Sequence, residues 1–186
     1  RRRMNKKLVL HMLGRLMLVE AGLMLLPALV ALIYGETSGY AFLWSIGICL
    51  LLGLIGALTK PEKRTMFAKD GFVAVSLCWI VLSLIGALPF TISGEIPHYI
   101  DAVFETVSGF TTTGSSILTN VEDLSRCMLF WRSLTHWVGG MGIIVFVIAL
   151  SDRVPDQSMY VLRAEMPGPT VGKLVPRTRD TALWLY

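Results

Sequence analysis

Charge is what this sequence has least of. Asp, Glu, Lys and Arg make up 16% of its 186 residues, against 54% hydrophobic. A soluble domain carries nearer a quarter charged residues, so a soluble globular fold is excluded. Cysteine is scarce as well. Cys49, Cys78 and Cys127 lie in or at the ends of apolar runs, without C-x-x-C spacing, which leaves no disulfide framework and no thiolate metal centre. They read as small apolar packing residues. No cluster of metal ligands and no nucleophile with a neighbouring base is present, so no enzyme is expected and no cofactor is called for. The basic residues flank apolar runs, so the net charge of +4 speaks of membrane orientation and of no nucleic-acid partner.

Long apolar runs are what the chain does have, and several reach the roughly 20 residues that span a bilayer. A basic start, Arg1-Arg2-Arg3-Met4-Asn5-Lys6-Lys7, precedes the first, over residues 8–34. Met4 is a candidate initiator, with the three arginines an upstream extension. The run is longer than a secretory signal core and is expected to be a retained span. Arg15 is close enough to the basic end to snorkel. Glu20 lies deeper and is expected to take a structural hydrogen bond. A second span over residues 40–59 follows a turn without Lys or Arg, and its Gly47, Gly53, Gly56 and Ala57 would allow close helix contact. Residues 60–70 carry Lys60, Lys63, Arg64 and Lys69 and read as cytoplasmic. A third span is expected over residues 71–92 and a fourth over residues 127–150, after which the chain is basic again.

Between the third and fourth spans lies Ser108-Gly109-Phe110-Thr111-Thr112-Thr113-Gly114-Ser115-Ser116, rich in hydroxyls and glycine. Residues 97–109 before it read as a short helix, with Pro97 in its first turn and Ile100, Val103, Phe104 and Val107 at helical spacing. Basic segments on both sides of an even number of crossings require this stretch to enter and leave on the outer face. Irregular backbone inside a membrane is tolerated where it is buried in protein or lines a watery cavity, and rings of carbonyl oxygens there replace a cation's hydration shell. The C-terminal end of the short helix would aim partial negative charge at a cation near Thr113 and Gly114. An ordinary polar loop outside the membrane is the plainer alternative. The outer segments hold Glu36, Glu95, Asp101, Glu105, Glu122 and Asp123; of these, Asp101 and Glu105 are the candidate outer-mouth acids that would concentrate cations.

The fourth span contains Trp131-Arg132-Ser133-Leu134-Thr135-His136-Trp137-Val138-Gly139-Gly140-Met141-Gly142. Trp131 and Trp137 fit an interfacial aromatic belt. Gly139, Gly140 and Gly142 weaken the helix locally and permit a bend or close packing; no strand precedes them and G-x-G-x-x-G is absent, so they are not a nucleotide loop. Arg132 and His136 share a face, with His136 expected to make a structural hydrogen bond.

These motifs, in this order, together with Ala164-Glu165-Met166-Pro167-Gly168-Pro169 and Thr181-Ala182-Leu183-Trp184 further on, resemble the Trk/Ktr/HKT superfamily of potassium transporters, most closely its bacterial TrkH-type membrane subunits. The resemblance implies an all-α integral membrane protein. Two N-terminal transmembrane helices (residues 1–59) precede one span–pore helix–filter loop–span repeat (residues 71–150), one quarter of a four-repeat, potassium-channel-like pore. Residues 151–180 form a cytoplasmic linker and residues 181–186 open a second repeat, so the chain reads as a partial polypeptide. It further implies that Thr111, Thr112, Thr113, Gly114 and Ser115 line one wall of the filter, with K+, the transported ion, bound by the main-chain carbonyls of Thr112, Thr113 and Gly114. A potassium uptake subunit of the bacterial inner membrane is implied, multi-pass with its N-terminus in the cytoplasm, homodimeric, in contact with membrane lipid and served by a separate cytosolic nucleotide-binding regulatory subunit. Two other functions compete: a small channel completed by four copies of the chain, and a non-transporting membrane scaffold whose glycines and tryptophans serve packing alone.

Overall fold

A computed structural model describes residues 6–59 and 68–142 of the chain. The linker and second-repeat assignments, and the end of the fourth span, lie outside these residues.

The first two apolar runs form α1 (Lys6–Tyr34) and α2 (Gly39–Leu58), within two residues of the bounds expected from composition. Gly35 turns the chain between them at φ +66°, and the Glu36 amide donates to the Ala31 carbonyl at 2.9 Å. The hairpin closes on bare backbone. A Cβ on Gly56 would lie 2.7 Å from the Gly14 Cα, and one on Gly53 would lie 2.9 Å from Leu18 Cδ2. Small residues give membrane helices the close approach on which their packing depends. Gly47 faces open space, and Gly14, which composition did not single out, completes the contact. Leu29, Leu32, Leu43, Trp44, Leu51 and Ile55 remain exposed on the outside of this pair, as lipid-facing positions require.

The third run is not one helix. It divides into α3 (Ala68–Gly86) and α4 (Leu88–Ile92), with Ala87 between them. Pro89 stands at the start of α4; it has no amide hydrogen to give the Ile85 carbonyl four residues back, and its ring crowds that turn. Hydropathy runs unbroken across the joint, so Val73–Ile92 still counts as a segment long and apolar enough to cross a membrane, as do α1 and α2. Among the described residues the chain is all-helical.

The short helix is α5 (Tyr99–Phe110). Pro97 is not in its first turn: the N-cap is His98, extended at ψ 117°, whose carbonyl takes the amides of Asp101 and Ala102. The Tyr99 hydroxyl donates to the Leu84 carbonyl at 2.7 Å, pinning the start of α5 to α3. A 3-10 turn, Val121–Asp123, precedes α6 (Arg126–Met141). Phe42, Phe90, Met128 and Trp131 lock α2, α4 and α6 together in the core. Trp131 is therefore no interfacial residue. It is 1% exposed, meets Phe42 edge-to-face at 6.2 Å and donates its indole N–H to the Gly86 carbonyl at 2.9 Å. Burying so large a ring with its N–H satisfied favours the interior over the membrane surface. Trp137 stays exposed.

Candidate functional site

The site is built by where α5 ends. One face of α5, carrying Ala102, Glu105, Thr106, Gly109 and Phe110, is buried, while Ile100, Phe104 and Val107 are exposed. Against α6 the two backbones nearly touch. A Cβ on Gly109 would lie 2.2 Å from Thr135 Oγ1, and one on Gly139 would lie 2.2 Å from the Phe110 carbonyl oxygen. The three candidate flexible glycines thus divide. Gly139 is a packing notch; Gly140 is exposed, its Cβ position an ordinary 3.7 Å from Thr112 Cγ2; Gly142, at φ +75°, ends α6.

Beyond Phe110 the chain makes a tight reversal. The amides of Thr111, Thr112 and Thr113 donate back to the carbonyls of Val107, Gly109 and Ser108 at 2.9, 2.9 and 3.0 Å. The Thr111 hydroxyl donates to the Val107 carbonyl at 2.7 Å and bonds the Thr113 hydroxyl at 2.8 Å. These groups satisfy the last carbonyls of α5, which otherwise lack partners. Two residues have left-handed backbone: Thr112 at φ +56° and Gly114 at φ +75°. For Thr112 that conformation costs on the order of 1–2 kcal/mol, strain of a kind that clusters at functional sites. Residues 111–117 are all exposed on this chain. The hydrogen bonds among the described residues leave the carbonyl oxygens of Thr112, Thr113, Gly114 and Ser115 without a donor. With the amides of residues 111–113 committed and these carbonyls uncommitted, the segment offers acceptor oxygens to a cation.

Glu105 is not an acid at the mouth. It is 1% exposed, and its Oε1 accepts the Ile117 amide at 2.7 Å and the Ser116 hydroxyl. Its Oε2 takes Arg132 Nε at 3.1 Å. One carboxylate therefore ties the returning arm of the loop to α5 and both to α6. His136, on the same face of α6, bonds the Arg132 carbonyl through Nδ1 at 2.8 Å. A carbonyl only accepts, so Nδ1 carries the proton, and the residue has the structural role its position suggested. Asp101 is half-buried near the start of α5, and Glu122 and Asp123 are exposed.

The remaining outer glutamates serve α6 rather than the mouth. Glu36, from the α1–α2 turn, accepts the amides of Arg126 and Cys127 at 2.9 Å each. Glu95, from the α4–α5 connection, accepts the Ser125 amide at 2.8 Å and the hydroxyls of Ser125 and Ser38 at 2.6 and 2.8 Å. Ser125 itself makes no side-chain cap, so two carboxylates from distant loops supply the acceptors and the negative charge that a helix N-terminus favours. Burial raises the pKa of Glu36, but the Cys127 and Arg126 amides outweigh it and hold the carboxyl below the ordinary glutamate range. The stability this contributes is whole above the unfolded-state value and is lost as pH falls through the folded-state value. Glu36→Gln is therefore expected to lower stability in detergent by about 1 kcal/mol at pH 7 and to flatten the acid limb of a melting-temperature profile; an unchanged acid limb would contradict the cap.

Of the residues expected in the filter, all five stand together at the end of α5. The residues that hold them there were not anticipated: Gly109, Ser116, Ile117 and the Glu105–Arg132 pair. An acidic residue three or four positions after an apolar anchor on a short helix, with an Arg in the next helix, is the only trace they leave in the sequence.

The family model described as TrkH, cation transport protein, matches residues 40–186. The Trk system potassium uptake protein TrkH of Salmonella typhimurium is 40% identical over 188 residues, covering 98% of this chain and 39% of that protein. The TrkG protein of the same system in Escherichia coli is 37% identical over 185 residues, 96% of this chain and 38% of that one. The crystal structure of the potassium transporter TrkH from Vibrio parahaemolyticus superposes with a TM-score of 0.76 at 33% identity, over 96% of this chain and 36% of that chain. The chain thus spans about two fifths of the length of these relatives.

Proposed function

The chain belongs to the TrkH family of cation transport proteins, and from that premise we propose that it supplies one wall of a potassium filter in an uptake system. It is a multi-pass helical membrane protein. The observation that carries the proposal is the exposed loop at the end of α5, in which the amides of Thr111, Thr112 and Thr113 are committed inward and the carbonyls of Thr112, Thr113 and Gly114 are not. Three further walls of the same kind close a ring around the ion, with Thr111 and Ser115 at its two edges. The α1–α2 pair stands outside the ring and is clamped to it through Glu36.

Family membership also motivates the rest of the assembly: insertion in the bacterial inner membrane with the N-terminus in the cytoplasm, a homodimer, and a separate cytosolic nucleotide-binding regulator. The basic residues 60–64 agree with that orientation.

The test replaces Gly114 by Arg in the protein expressed from its complete reading frame. No heavy atom lies within 4 Å of a Cβ at this position, so the expected protein level is near wild type apart from about 1–2 kcal/mol of left-handed strain. Potassium-dependent growth of an uptake-deficient cell is expected to be lost. Undiminished growth at normal protein level would remove the filter assignment.

A further inference from the structure

Glu20, in the middle of α1, was expected to make a structural hydrogen bond and makes none. It is 1% exposed, and neither carboxyl oxygen has a hydrogen-bond partner. Its surroundings place it behind the filter loop. A Cβ on Gly86 of α3 would lie 3.2 Å from Glu20 Oε1, 3.1 Å from Thr106 Cγ2 and 3.2 Å from Phe110 Cε2. Gly86 therefore leaves one space that the carboxyl shares with side-chain atoms of α5, on the buried face of the turn that ends at Thr111.

An ionised carboxylate with no hydrogen bond and no counter-charge is strongly disfavoured in such a place. Two ligands could neutralise it, a cation or a proton. A cation needs several oxygens, and the atoms that share the carboxyl's space from α5 are carbon, the Thr106 methyl Cγ2 and the Phe110 ring Cε2. No group of three His, Cys, Asp or Glu side chains gathers there among the described residues. The titratable group that faces Glu20 is Cys49 of α2. The groups around the same space from α3 and α5, Gly86, Thr106 and Phe110, do not titrate. α6, which also packs against α1, carries Arg132, engaged by Glu105, and His136, whose Nδ1 bonds the Arg132 carbonyl; Arg15 of α1 is exposed five residues away.

We propose that Glu20 is a proton-binding site behind the filter, whose occupancy keeps the loop-bearing end of α5 packed against α1 and α3. Release of the proton to solvent leaves a bare charge against Phe110 and Thr106. Water or lipid headgroups must then reach it, and the packing under Thr111 opens. Its functional arm rests on the filter reading above; its spectroscopic arm does not.

The test uses the complete protein in liposomes, as wild type and as Glu20→Gln, a neutral isostere. At neutral pH the wild type is expected to show the infrared C=O stretch of one protonated carboxylic acid that the Gln variant lacks, with rubidium uptake within about twofold between the two. Raising the pH is expected to remove that band, and wild-type uptake then falls roughly tenfold below that of Glu20→Gln, the factor that about 1.4 kcal/mol of lost packing produces. Absence of the band at neutral pH would overturn the site. A band that titrates while the two uptake profiles stay parallel would overturn its connection to the loop. Should uptake also be insensitive to Gly114→Arg, the filter reading fails while the band still decides the proton site.

Discussion

Glu105→Ala is expected to unfold the outer half of the site and to abolish uptake. The substitution leaves the Arg132 guanidinium, 18% exposed, without its carboxylate, and the Ile117 amide without its acceptor. Breaking a buried pair by removing one partner costs about 3–5 kcal/mol, a large share of what holds a protein of this size. Glu105→Gln keeps an oxygen for Ile117 but no charge for Arg132, and is expected to cost about 1–3 kcal/mol. Arg132→Met combined with Glu105→Gln is expected to recover part of that loss, since no unpaired charge then remains. Thermal unfolding in detergent of these three variants and of Arg132→Met alone, each against wild type, measures the coupling. If Glu105→Ala and wild type melted together, the carboxylate would not be the tie between loop and helix.

Gly139→Ala is expected to be the more damaging of two adjacent and chemically identical changes. Helix propensity alone favours alanine over glycine by about 0.5–1 kcal/mol. At Gly139 that gain meets a Cβ placed 2.2 Å from the Phe110 carbonyl oxygen and 2.7 Å from its carbon. Backbone does not yield as a flexible side chain does, so α5 and α6 must separate by about 1 Å to restore contact distance. Overpacking of this kind costs about 1–3 kcal/mol or more, and here it displaces the residue directly before the loop. At Gly140 the new methyl meets Thr112 Cγ2 at 3.7 Å, and a change within about 0.5 kcal/mol is expected. Rubidium uptake normalised to protein level is expected to fall at least about tenfold for Gly139→Ala, the equivalent of 1.4 kcal/mol, and to stay near wild type for Gly140→Ala. Equal uptake by both would mean that the glycines serve flexibility and not close approach.

Much of this architecture was legible from composition. The first two spans are bounded by sharp changes of polarity, so α1 and α2 fall where hydropathy places them. The loop was legible because hydroxyls and glycine stand out between apolar runs. Other features were hidden for identifiable physical reasons. Pro89 breaks the third run without changing its hydropathy, so the joint at Ala87 is visible only to backbone chemistry. Glu36 and Glu95 read as outer-segment acids, and Glu105 as a mouth acid, because charge in an outer segment ordinarily meets water. Their partners are amides of α6 and of the returning loop, and for Glu36 these lie 90 and 91 residues away, a distance over which sequence holds no pairing signal. Trp131 and Trp137 sit six positions apart with the same side chain and opposite fates: Trp131 is buried with its indole on the Gly86 carbonyl, and Trp137 stays exposed.

The central claim is that main-chain oxygens of Thr112, Thr113 and Gly114 face a permeating cation. Anomalous diffraction from crystals of the complete protein soaked in thallium or rubidium tests it directly. The account predicts ion density in coordination distance of those three carbonyls, lost in Gly114→Arg. Ion density confined to other parts of the protein, with these carbonyls bonded only to water, would contradict it.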